Sequence, residues 1–127
     1  MVRLIAAVPV LLLAGLPALA FEAQNDMVVE ATGEGTFTVP YRGVTVEEDF
    51  WCAAGDYVMR GLDKSGATLV YRTSAPPAKV GDAVTFSLSA AGAVSSTGLS
   101  SEGGTPGALE AGVAQGLCAE SASRRKK

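Results

Sequence analysis

Two cysteines, 13 carboxylates and no histidine bound the chemistry open to this chain. Without histidine, Ser-His-Asp and Cys-His nucleophilic schemes are excluded, and so are the usual imidazole zinc sites. Cys52 and Cys118 lie far apart and do not form the C-x-x-C of a redox catalyst, so they read as one structural bridge. Such a bridge would close a loop of about 66 residues and contribute about 4 kcal/mol on chain-entropy grounds. There is no GxxxxGK[ST], no GxGxxG and no D-x-[DN]-x-[DN]-G in the chain, so no nucleotide loop or calcium loop is expected. The expectation is no cofactor, no metal and no catalytic residue.

The carboxylates remain. Glu47, Glu48, Asp49 and Asp56 cluster in one segment, and paired carboxylates can hydrolyse glycosides. The simpler reading is that the first three load the first turn of a helix, where its dipole favours negative charge. Asp56 then falls on an exposed side. Trp51, Tyr57 and Tyr71 are the candidates for ligand contact. Trp51 and Tyr57 would lie on the core-facing side of the same helix, which favours packing. Arg42, Arg60 and Arg72 are isolated in an acidic body and read as partners of nearby carboxylates.

The elements that would position these residues are legible in outline. Residues 27–39 alternate apolar and polar about Gly33-Glu34-Gly35, the pattern of a hairpin ended by Pro40. Residues 46–60 form the clearest helix, with Thr45 as N-cap, Glu48 completing a capping box and Gly61 as C-cap. Val46, Phe50, Trp51, Ala54, Tyr57 and Val58 gather on one face. Cys52, Gly55 and Met59 lie on another. A glycine inside a helix costs ~1 kcal/mol against alanine, and close approach of the Cys118 segment would explain Gly55. Thr68–Thr73 is a strand rich in β-formers, and Val84, Phe86 and Leu88 alternate in a second.

Residues 90–107 are mostly Ala, Gly, Ser and Thr and read as a flexible loop, with a weak edge strand near Ala93-Val94. Thr105-Pro106 then offers an N-cap and N1 proline for a short helix carrying Leu109, Val113 and Leu117 as its apolar stripe. The expected fold is α+β: a small antiparallel sheet in β-β-α-β-β order, packed by one capped helix. The C-terminal segment would be tethered by the disulfide.

Residues 1–20 look like a cleavable signal peptide. Arg3 is the only charge, an apolar run follows from Leu4, and Ala18-Leu19-Ala20 forms an A-x-A site. Cleavage after Ala20 leaves one small domain, 21–120, and a basic tail, 121–127. No membrane span is expected after cleavage. All 13 acidic residues follow the cut, against Arg42, Arg60, Lys64, Arg72 and Lys79 before the tail. So acidic a body repels phosphate backbones, and nucleic acid is not an expected partner. The tail reads as a solvated terminus.

The run Phe50-Trp51-Cys52-Ala53-Ala54-Gly55-Asp56-Tyr57, with Tyr71-Arg72-Thr73-Ser74 and Phe86-Ser87-Leu88-Ser89, resembles a group of small exported proteins of alphaproteobacteria with no known activity. The resemblance covers most of the mature chain. It implies a periplasmic or extracellular location and supplies no catalytic residues. Residues and resemblance together lead to an exported, disulfide-stabilised binding or structural protein without catalysis. Its partner would be a protein or small ligand of the envelope, and its oligomeric state is left open. Two other readings are a small-ligand binder with an aromatic pocket between helix and sheet, and a weak carboxylate hydrolase.

Overall fold

The computed structural model describes residues 20–43, 45–100 and 104–125. Apart from Ala20, the expected signal segment lies outside them, as do Lys126 and Lys127 of the basic tail. The fold is α+β, as the sequence predicts. The strands are β1 (Phe21–Glu22), β2 (Val28–Gly33), β3 (Thr36–Val39), β4 (Leu69–Arg72), β5 (Val84–Ser87) and β6 (Ala108–Glu110). The helices are α1 (Glu47–Asp56), α2 (Ala111–Gly116) and α3 (Cys118–Arg125). The strands form one antiparallel sheet in the order β1-β2-β3-β5-β4-β6. No helix among the described residues is long and apolar enough to cross a membrane.

The predicted hairpin is β2–β3. Glu30 faces Thr38 and Ala31 faces Phe37, and a bulge shifts the register before Gly33 meets Thr36. Phe37 and Val39 then pair with Phe86 and Val84 of β5, which puts all four side chains on one buried face. The same face continues through Val70 and Arg72 of β4, both fully buried. Phe37 and Phe86 stack at 5.6 Å, and Trp51 meets Phe86 edge-on at 4.9 Å.

α1 is buried from Asp49 to Asp56 on every side, which the amphipathic reading did not anticipate. The sheet covers one side. α2 and α3 cover the side that carries Cys52 and Gly55. The axis then widens into a π-type turn over Tyr57–Gly61, closed by Leu62 N–H donating to the Tyr57 carbonyl at 2.8 Å. The cap also differs from the expectation. The helix starts one residue later than a Thr45 cap requires, and the Thr45 hydroxyl is buried without a hydrogen-bond partner among the described residues. Asp49, not Glu48, takes the backbone N–H of the capping residue Val46, at 3.0 Å. Val46 itself is 41% exposed and does not join the core face.

The C-terminal third corrects the sequence reading most. Thr105-Pro106 opens no helix. Ala108 N–H donates to the Thr105 carbonyl in a turn, and the chain enters β6. There Leu109 pairs with Val70 at the sheet edge, so strand hydrogen bonds replace the predicted helical turn. The helix begins only at Ala111, and Val113 points outward at 55% exposure. Its packing face is Ala111 and Ala114 instead of the Leu109/Val113/Leu117 stripe. α3 runs into the stretch read as a solvated tail: Ser121 is buried, and Arg124 forms an ion pair with Asp49 at 2.6 Å.

Residues 90–100 carry no regular element, yet they are fastened to the domain. Val94 N–H donates to the Arg72 carbonyl at 2.9 Å, which ties the segment to the end of β4 near where a weak edge strand was expected. Thr97 is fully buried. Composition hides this because the segment is held by backbone groups more than by apolar side chains.

Candidate functional site

Every predicted site residue but Tyr71 belongs to α1, its π-type extension or a segment tied to it. Cys52 and Cys118 are joined as predicted, with their Cα atoms 4.8 Å apart and a sequence separation of 66. The close approach inferred for Gly55 is present. A Cβ placed there would lie 2.4 Å from the Gln115 backbone nitrogen and 2.7 Å from the Ala111 carbonyl oxygen. The glycine and the disulfide thus serve one crossing of α1 against the C-terminal helices.

One turn further along α1, Asp56 overturns its predicted exposure: it is fully buried. Its carboxylate accepts the Gln24 backbone N–H at 3.0 Å, Gln24 Nε2 at 2.8 Å and Gln115 Nε2 at 3.1 Å. Arg60 adds two bonds of 2.6 Å each. Burial alone would push this carboxyl up. The bonds from Arg60, Gln24 and Gln115 outweigh it and hold the pKa at about 2, below the ordinary 3.8. Asp56 is thus a junction between the start of the domain, α1 and α2, and a carboxylate so enclosed is poorly placed to meet a substrate. Because its folded pKa is depressed, its contribution is present above pH 3.8 and is lost as pH falls toward 2. We expect about 2 kcal/mol of acid-labile stability from this one group. Urea midpoints between pH 5 and pH 2 should fall more steeply for the native chain than for Asp56→Asn; equal slopes would refute the assignment.

Asp49 repeats the arrangement at the other end of the helix. Burial raises its pKa, but the bonds from Val46, Ser121 and Arg124 lower it further. Asn25 Nδ2 beside it donates to the Asp49 carbonyl at 2.8 Å and to Ser121 Oγ at 3.2 Å, which ties the 23–27 turn to α3.

Trp51 is fully buried, and its indole N–H donates to the Thr97 carbonyl at 2.9 Å. The same carbonyl accepts Arg72 Nη1 at 3.0 Å. Arg72 also donates from Nε to the Ser74 carbonyl at 2.8 Å and from Nη1 to Glu47. Glu47 in turn takes the Ala78 N–H at 2.6 Å. Arg60 and Arg72 therefore meet carboxylates as expected, whereas Arg42 donates to the Asp26 backbone carbonyl. Glu47 and Asp49 act as tertiary anchors as well as dipole partners. Gly98, at φ +81°, lets the loop pass this network, since a Cβ there would lie 2.8 Å from Arg72 Nη1.

Among the described residues, two of the surface clefts bear on these side chains. One, of about 530 Å³, is lined by Phe37, Tyr57, Leu62 and Leu88, with Glu34 and Lys64 among its polar residues. Burial raises the Tyr57 phenol pKa. The other, of about 420 Å³, is lined by Arg72, the 74–79 loop and residues 82–84. Tyr71 lies on the opposite face of the sheet from the buried Val70 and Arg72, in register with Ser87. The three aromatics singled out from sequence are thus not gathered around one pocket: Tyr57 lines a cleft, Trp51 is core and Tyr71 stands apart. Gln24, Gln115, Asn25, Ser121 and Thr97 were not foreseen. Their polar types carry no positional signal until the segments that hold them are folded together.

A scan against protein-family models, a search of curated proteins and a search of solved structures each return no match.

Proposed function

We propose that this chain is an exported, disulfide-bridged domain of the bacterial envelope that acts by binding and not by catalysis. The observation that carries the reading is the buried Cys52–Cys118 bond, which clamps α1 to α3. Disulfides of this structural kind persist in oxidising compartments. Phe21 supports the same reading. It is the residue that cleavage after Ala20 would place first, and it begins β1. Its ring lies 5.5 Å from that of Tyr57 and 5.3 Å from the Arg60 guanidinium. A mature chain starting there would hold its first side chain in the fold. The test is intact mass of the protein recovered from its host, with thiols alkylated before and after reduction. A mass starting at Phe21, with label only after reduction, is expected. A full-length mass with freely labelled thiols would overturn the export reading.

A further inference from the structure

β1 is much shorter than the strand it borders. It pairs with β2 only through Phe21 opposite Val29 and Glu22 opposite Val28. β3 lies on the other side of β2, so among the described residues no strand covers the outer side of residues 30–33. All four of these residues are exposed. A strand edge left open presents unpaired N–H and C=O groups and can take an added strand.

β1 shows where such a strand puts its side chains. The Phe21 ring lies on the α1 side of the sheet, 5.5 Å from that of Tyr57, and a Cβ on Gly61 would come within 3.1 Å of it. The next position on that side is two residues further along the edge, about 7 Å away, opposite Ala31. Ala31 and Gly33 line the cleft of about 530 Å³, with Phe37, Tyr57, Leu62 and Leu88. Phe37 and Tyr57 are buried, but Leu62 and Leu88 are half-buried and give the cleft accessible apolar surface. The edge is also acidic. Glu22, Glu30 and Glu34 are exposed and form no ion pair with a described residue. Lys64 is the basic residue of the cleft lining, and Arg60, near Phe21, is held by Asp56.

We propose that this edge binds a short extended segment of an envelope partner, added antiparallel to β2 in line with β1. An apolar side chain opposite Ala31 enters the cleft. The residue that follows it is basic and pairs with Glu30, with Glu22 and Glu34 adding to the attraction. A second copy of this chain fits less well. Two such edges would set their carboxylates against one another, and the bulge between Ala31 and Gly33 breaks the flat ladder that edge-to-edge pairing needs. The proposal names a partner class for the binding reading above. It rests on that reading in taking Phe21 as the first residue, since an uncut chain continues past β1 at this same point.

The experiment is a titration of the ¹⁵N-labelled, oxidised protein recovered from its host. The probe is an acetylated, amidated pentapeptide with leucine at its centre, lysine on either side and threonine at each end. Amide shifts at residues 28–34 and 62–64 are expected. In an antiparallel ladder, successive residues turn their N–H groups alternately toward and away from the neighbouring strand. N-methylation of either the leucine or the lysine after it should therefore abolish binding, and N-methylation of the other should not. Glu30→Lys changes an exposed side chain without an ionic partner, so it should stay folded. It should weaken the lysine peptide by about threefold or more and favour a peptide with glutamate in place of lysine. Tolerance of both N-methyl groups, equal binding of the lysine and glutamate peptides, or shifts centred elsewhere would overturn the proposal. A stable dimer joined through residues 28–34 would overturn it in favour of a second copy. Intact mass of the same sample separates the two readings. A chain starting at Phe21 that shows no shifts overturns the edge alone, a full-length chain with the shifts overturns export alone, and a full-length chain without them overturns both.

Discussion

Replacing Cys52 and Cys118 together by alanine will lower the stability of the domain by about 4 kcal/mol, the chain-entropy value for a loop of this length. The bridge spans 66 residues, so the unfolded chain regains a large conformational freedom when it is cut. The folded state is weakened at the same crossing. α3 is held by Ser121 bonded to Asn25, by Arg124 on Asp49 and by the disulfide. Arg124 is 40% exposed, and an ion pair of that kind contributes at most ~1 kcal/mol. Loss of the sulfur link therefore leaves α3 on weak supports. The urea midpoint of the double variant should drop well below that of the oxidised native chain, and reduction of the native chain should reproduce most of the drop. Because both sulfurs are buried, reduction should be slow until the domain opens. A variant with an unchanged midpoint would show that the helices hold without the bridge.

Gly55→Leu will cost about 3 kcal/mol or more, and even Gly55→Ala will destabilise, although alanine is the better helix former by ~1 kcal/mol. The atoms in the way are the Gln115 nitrogen and the Ala111 carbonyl oxygen, which are backbone and cannot rotate aside. Relief requires α2 to move off α1. That movement would disturb the Gln115 bond to Asp56 and strain the neighbouring Cys52–Cys118 link. Thermal unfolding of the two variants, both oxidised, gives the comparison. If Gly55→Ala were more stable than the native chain, the packing at this crossing would be looser than described.

The parts of this fold legible in the sequence are those specified locally or by a single pairing. The β2–β3 hairpin is written in alternation about a glycine turn. α1 is marked by its acidic first turn. The bridge follows from there being two cysteines, and Gly55 signals the approach that needs it. What escaped notice depends on partners distant in sequence. Asp56 looks exposed on a helical wheel because Gln24, Arg60 and Gln115 are not yet around it. Leu109 fits a helical stripe until Val70 offers it a strand edge. Asp49 displaces Glu48 as the capping acid in a helix whose first turn also meets Arg124, a contact made across 75 positions. Thr97 gives no sign of its long-range role, since what Trp51 and Arg72 use is its carbonyl oxygen. Of the candidate site, the sequence marked Tyr57 and Arg72. The Arg72 cleft could not be read, because its walls come from a loop and a turn whose packing no periodicity encodes.

The way α1 is enclosed also governs when the protein can first become itself. A chain made from its N-terminus completes β1, β2, β3 and α1 early, but one flank of α1 stays bare until residues 108–125 have been added. Until then Cys52 has no sulfur to meet, Gly55 is an open notch and Asp56 lacks one of its donors. The growing polypeptide therefore has no early, self-sufficient half that could lock prematurely. Its native contacts are non-local and are made together, once residues 108–125 are in place. A chain truncated before Ala111 should behave as an unfolded polymer, and α2 and α3 act as the latch that commits β1 to α1.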